Sequence, residues 1–96
     1  MFVHTVLFEI HPTEVCAYRK DSKMWAAQAK KAKGFRGYTT MQRLGHKNQF
    51  ASVYRWENKL CHDRFMHKYH EYLLGKSTAK VKVLDYFNLK AKDIVR

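Results

Sequence analysis

The order in which this chain changes its hydrophobic period limits its fold more than any single residue does. FVHTVLFEI (Phe2–Ile10) alternates, with Phe2, Val6, Phe8 and Ile10 on one side, as a half-buried strand does. Pro12 and Thr13 then open a segment of helical period, with Thr13 the expected cap. Gly34 closes that helix after a lysine-rich last turn, where cations suit the negative end of the helix dipole. FRGYTTMQRL (35–44) and QFASVYRW (49–56) read as two strands joined by the turn Gly45-His46-Lys47-Asn48. A second helix is predicted from Lys59 to Leu74, stopped by Gly75, and KVKVLDYFNL (80–89) supplies the last strand. The order is βαββαβ.

That order predicts an α+β fold of ferredoxin-like type, a four-stranded antiparallel sheet with two helices on one face. Ninety-six residues make a single domain, 1–96, with no linker, repeat or low-complexity stretch. No segment approaches the ~20 apolar residues of a membrane span, and the N-terminus lacks the pattern of a signal peptide. No membrane partner is expected. Cys16 and Cys61 fall inside predicted helices, off any metal or redox spacing. They read as small buried hydrophobes of a reducing compartment, which makes the cytoplasm the expected location. The fold hosts many unrelated activities, so function has to be argued from a site.

The net charge of +11 has two readings. Lys20, Lys23, Lys30, Lys31 and Lys33 fall on the outer side of helix one, as plain solubility requires. An excess of this size also attracts anions: nucleic acid, phosphate, or a carboxylate-bearing cofactor such as haem. The inner stripe of helix one is Val15, Tyr18, Ser22, Trp25, Ala29 and Ala32, with Trp25 the one bulky anchor among small neighbours. Helix two turns Cys61, Phe65, Met66, Tyr69, Tyr72 and Leu73 inward, with His62 on one edge. Asp63, His67 and His70 share its other edge. A metal would need a further ligand from a second element, so no metal site is predicted.

Both registers of several strands are apolar. Val3 and Leu7 stand opposite Phe2, Val6 and Phe8; Ala51 and Val53 opposite Phe50, Tyr54 and Trp56; Leu84 and Tyr86 opposite Val81, Val83 and Phe87. A second apolar sheet face needs a cover, and a symmetric homodimer is the simplest one. The RNA-recognition motif shares this strand order and stacks bases on strand-three aromatics. Superposed on Phe50-Ala51-Ser52-Val53-Tyr54-Arg55, it leaves Ser52 and Arg55 at two outward positions where rings are expected. Nucleic acid is therefore disfavoured as a partner.

Gly34-Phe35-x-Gly37 at the start of strand two, Trp56-Glu57-Asn58 at the end of strand three and Phe65-Met66 in an aromatic-rich helix carry a resemblance. The chain resembles the antibiotic-biosynthesis-monooxygenase-like branch of the dimeric α+β barrel superfamily. Within it, Trp25 and Phe65-Met66-x-x-x-His70 look closest to small bacterial members. The resemblance implies a homodimer and a pocket between sheet and helices. It also implies oxygen chemistry on an aromatic or planar ligand, often without metal or flavin. Some relatives degrade haem with an asparagine on strand one, a tryptophan on helix two and an axial histidine. Here strand one offers His4 and Thr5, Phe65 falls at the tryptophan position, and His70 is the counterpart of the axial ligand.

The primary expectation is a small-molecule monooxygenase; the alternatives are a non-enzymatic binder of haem or another planar anion, and a basic nucleic-acid-binding domain. Trp25, Phe65, Met66 and His4 are the expected ligand-binding residues. His70 is the first choice for the catalytic base and His67 the second, because imidazole ordinarily titrates near pH ~6.5. His70 follows Phe65-Met66 by about one helical turn, at the edge of the apolar stripe, where a pocket mouth is expected.

Overall fold

In the computed structural model, which describes residues 1–96, β1 covers Phe2–Glu9 and a single 3-10 turn covers Pro12–Glu14. There follow α1 (Val15–Lys30), β2 (Phe35–Gln42), β3 (Gln49–Trp56), α2 (Lys59–Lys76) and β4 (Lys82–Lys90). The strands form one antiparallel sheet in the order β2-β3-β1-β4. This is the βαββαβ ferredoxin-like fold. Register places Phe2 opposite Trp56, His4 opposite Tyr54 and Phe8 opposite Phe50. Directly opposed residues share a face, so the even-numbered side chains of β1 and β3 meet the helices together.

Phe2, Ala29, Trp56, Cys61, Phe65 and Leu73 form the buried centre. Trp56 is 1% exposed and sits 5.2 Å, ring to ring, from both Phe35 and Phe65. The inner stripe of α1 agrees with its spacing: Tyr18, Ser22 and Ala29 are buried, while all five lysines of the outer side are exposed. Gly34 adopts φ +86° and its carbonyl accepts the Glu57 amide at 2.7 Å, tying the start of β2 to the approach to α2. A Cβ at Gly34 would overlap Cys61 Cβ and Sγ.

Several local expectations change. The cap of the first helical turn is His11, whose ring accepts the Thr13 amide at 3.2 Å, rather than Thr13 itself. Regular α-helix ends at Lys30, three residues before Lys33, and β2 ends at Gln42, so the connection to β3 is longer than four residues. Helix α2 runs through Gly75 to Lys76 because Ser77 ends it instead. The Ser77 amide donates to Leu74 and its hydroxyl donates to the Leu73 carbonyl. Asn58 starts α2 by accepting the Cys61 amide at 3.0 Å. Tyr72 and Cys16 are exposed, not buried.

The largest revision concerns β4. A bulge opposite Leu7 and Phe8 shifts its register, and an inserted residue swaps the faces beyond it. Val83 opposes Phe8 and Tyr86 opposes Val6, both on the helix side, while Phe87 opposes Thr5 on the other. Leu84 with Tyr86 against Val83 with Phe87 is therefore not the division the structure makes. Ser52 likewise faces the helices, opposite Val6, and not outward. On the helix-free face Thr5 and Val53 are already buried. Exposed apolar surface concentrates along the edge strand, where Val83, Tyr86, Phe87 and Leu89 are 42–67% exposed.

Candidate functional site

Strand register and the two helical stripes leave a gap where small side chains face the sheet. Ser22 of α1 and Ser52 of β3 are too short to fill it, and Trp25 stands at its side. The result is a cavity of about 400 Å³ between the sheet and both helices. Trp25, Phe65, Met66, His4 and His70 all line it. His67 does not: it is exposed on α2 and lies outside this wall. The segment leading into β4 completes the enclosure through Ser77, Ala79 and Val81.

Some polar groups of the wall are held by definite partners and others are left free. Trp25 Nε1 donates to Ser77 Oγ at 2.9 Å, fixing the indole to the end of α2, and His70 meets that indole edge-on at 6.0 Å. His70 Nδ1 is 3.8 Å from Glu71 Oε1, beyond hydrogen-bond distance. Both of its ring nitrogens are thus uncommitted within the protein. His4 Nδ1 lies 2.7 Å from Asn88 Oδ1 across β1 and β4. With Nδ1–H donating there, Nε2 keeps its lone pair.

Tyr18 and Ser52 share a hydroxyl–hydroxyl bond of 2.6 Å, extended by Tyr38 at 3.1 Å. Burial raises the Tyr18 phenol and raises the Tyr54 phenol well above the ordinary tyrosine value. Both remain neutral donors at physiological pH. Tyr54 enters none of the Tyr18–Ser52–Tyr38 bonds, which leaves its hydroxyl available beside the cavity.

His62 is the lining residue that sequence reasoning passed over. Helical spacing put it at the edge of the α2 stripe, yet it is 8% exposed, its ring tilted against His4 at 4.7 Å and against Phe2 at 5.0 Å. Its Nδ1 is 2.9 Å from Asp63 Oδ1, and Asp63 in turn accepts Lys59 Nζ at 2.6 Å. Lys59 first, and then His62, hold the Asp63 carboxyl below its ordinary value. His62 Nε2 is buried without a partner. Desolvation lowers the His62 pKa below the usual 6.5 despite the Asp63 bond. The unfolded chain therefore binds the proton more tightly, and stability falls as pH drops below about 6.5 toward the folded value. Thermal melts between about pH 7 and 5 should show this loss, and His62→Phe should flatten the slope. An unchanged slope would mean that His62 is not desolvated.

In sequence, no family model matches the chain, and no curated protein does. In structure it is similar to several solved proteins. The Mycobacterium tuberculosis protein Rv0793 superposes with a TM-score of 0.74 at 14% identity, covering 99% of this chain and 98% of that one. Two proteins provisionally described as antibiotic biosynthesis monooxygenases also match. The one from Deinococcus radiodurans gives a TM-score of 0.71 at 12% identity, over 100% of this chain and 97% of its own. The one from Nitrosomonas europaea gives 0.70 at 11%, over 95% and 98%. The chain shares the fold of these proteins. The gap between its sheet and helices is the cavity described above, with a mainly aromatic and aliphatic wall. No helix is long and apolar enough to cross a membrane.

Haem was the cofactor allowed by the resemblance, and the wall tests it. No lysine or arginine lines the cavity to meet haem carboxylates. The one carboxylate there, Asp21, is taken by the Thr78 and Ala79 amides at 2.9 and 2.8 Å. The wall therefore offers no partner for haem carboxylates. No three His, Cys, Asp or Glu side chains converge as metal ligands.

Proposed function

We propose that this protein is a small-molecule monooxygenase that oxidises a planar, acidic aromatic substrate in the cavity between sheet and helices. The observation that carries the reading is a cavity of about 400 Å³ with a mainly apolar wall that also holds three imidazoles: His4, His62 and His70. The names given to the Deinococcus and Nitrosomonas proteins support the same reaction class. Trp25, Phe65 and Met66 would hold the ring system. His70, half exposed at the α2 side and uncommitted at both nitrogens, takes a proton from the substrate. The neutral Tyr54 phenol donates a hydrogen bond to the developing oxyanion, while His4 Nε2, left as an acceptor by the Asn88 bond, takes a hydrogen bond from a substrate hydroxyl.

The substrate carbanion is the reductant and dioxygen the oxidant. A ring methylene loses two hydrogens and becomes a carbonyl; one oxygen atom enters the product and the other leaves as water. Oxygen uptake with anthrone-type phenols tests the reading directly. His70→Ala should lower kcat by about 10²-fold or more, while Trp25→Phe should chiefly raise KM. Absence of uptake with every acidic polycyclic phenol, while Trp25 fluorescence still reports binding, would leave a binder and remove the enzyme.

We also propose that a second copy of the chain covers the apolar surface of β4 and the helix-free sheet face. Leaving Phe87 and Leu89 of that face wet would be costly for a monomer of this size. Light scattering at micromolar concentration should give twice 11.5 kDa. Phe87→Asp should shift the mass toward the monomer, and a clean monomer for the parent chain would exclude the dimer.

A further inference from the structure

The charge excess is not placed where the cavity could use it. None of the 19 lysines and arginines lines that cavity, so its ligand does not account for them. Four of them instead converge on a second concavity, of about 260 Å³, between the end of α1 and the middle of α2. Lys31 and Lys33 reach it from the turn after α1, and Arg64 and Lys68 from successive turns of α2. Gln28 and Tyr69 flank it, and Cys61 and Phe65 of the core form its floor.

No carboxylate lines this cleft. The ion pairs of the protein lie elsewhere: Arg36 with Glu57, Lys59 with Asp63, and the histidine pairs. Lysine at the end of α1 suits the helix dipole, but the same argument gives nothing for Arg64 and Lys68, which sit inside α2. Like charges four residues apart on one helix face repel each other by a few tenths of a kcal/mol. Four uncompensated cations around one concave site of about 260 Å³ therefore favour a small anion. A guanidinium fork with three ammonium groups matches clustered phosphate oxygens better than a single carboxylate. Lys68 Nζ also sits 5.3 Å over the Tyr69 ring, which puts an aromatic surface beside the charge.

We propose that the cleft between the end of α1 and the middle of α2 is a second binding site, for a small ligand carrying two adjacent phosphate groups, held by Lys31, Lys33, Arg64 and Lys68. It stands independently of the oxygenase reading, since it shares only the Phe65 ring with that cavity. A free diphosphate and the diphosphate part of a nucleotide present the same chemistry. Tighter binding of the nucleotide would point to a base resting on Tyr69.

The test is calorimetric titration of pyrophosphate and ADP into the full chain, the double variant Arg64→Gln/Lys68→Gln, and the control Lys47→Gln/Lys92→Gln. The control removes the same charge from exposed positions outside the cleft. Binding to the parent chain should weaken with added salt. The cleft variant should weaken it at least about tenfold and the control by less than about twofold. Circular dichroism checks that both variants remain folded. Failure of both ligands to bind overturns the proposal, and so does an equal loss in the control, which would reduce the effect to bulk charge. Single-stranded RNA or anionic vesicles binding where pyrophosphate does not would overturn it in favour of a macromolecular face.

Discussion

Trp56→Ala is expected to lower the unfolding free energy by about 3–5 kcal/mol, a large part of the roughly 5–15 kcal/mol that a domain of this size has. Trp56 is 1% exposed, closes β3 opposite Phe2 and Phe35, and fills the space under Phe65. Truncation removes the largest side chain of the core and leaves a hole bounded by two strands and a helix that cannot collapse together. Trp56→Phe should behave differently. The indole N–H is buried without an acceptor, a state that costs about 1–3 kcal/mol. Phenylalanine removes that orphan donor while keeping ring contacts, so its net cost should be much smaller than that of alanine. Urea unfolding at fixed protein concentration, followed by circular dichroism, separates the two variants. Equal losses for Phe and Ala would mean that the N–H finds a partner after all.

Gly34→Ala is the second large effect, expected at about 2–5 kcal/mol from two independent causes. The left-handed conformation at φ +86° costs a residue with a Cβ about 1–2 kcal/mol. The new methyl also meets Cys61 Cβ and Sγ inside the core, and overpacking of this kind costs about 1–3 kcal/mol. A double-mutant cycle distinguishes the causes. Cys61→Ala removes the sulfur but not Cβ, so Gly34→Ala should be less damaging in that background while the backbone part persists. If the two substitutions are strictly additive, the close approach of Gly34 to α2 is wrong.

The element order and most of the inward stripes were legible because they rest on local period. Alternation in Phe2–Ile10, the spacing Tyr18-Ser22-Trp25-Ala29 and the run Cys61-Phe65-Leu73 each name a face without any tertiary knowledge; the two helical faces are the buried ones, while β1 also buries Thr5 on its other side. Where period was the wrong guide, a specific bond or a slip in register had displaced it. Ser77 carried α2 past Gly75, and the bulge in β4 exchanged the partners of Tyr86 and Phe87.

Composition of the cavity was legible only in part. Trp25, Phe65, Met66, His4 and His70 carry the right chemistry at the right phase, and they line one space. His62 was not legible, because its burial depends on the first strand lying across α2 so that Phe2 and His4 close over its ring. His67 shows the converse: three residues from His70, it points to solvent. The net charge of +11 was plain in the sequence, but its gathering around the cleft between α1 and α2 was not. Sequence by itself determined what each segment becomes and which side of it is apolar, since both follow from interactions within a few residues. Only the tertiary structure decided which side chains share a cavity, which donors stay unpaired and which cations face one another. Those depend on strand register and helix rotation, and both are set by contacts between residues distant in the chain.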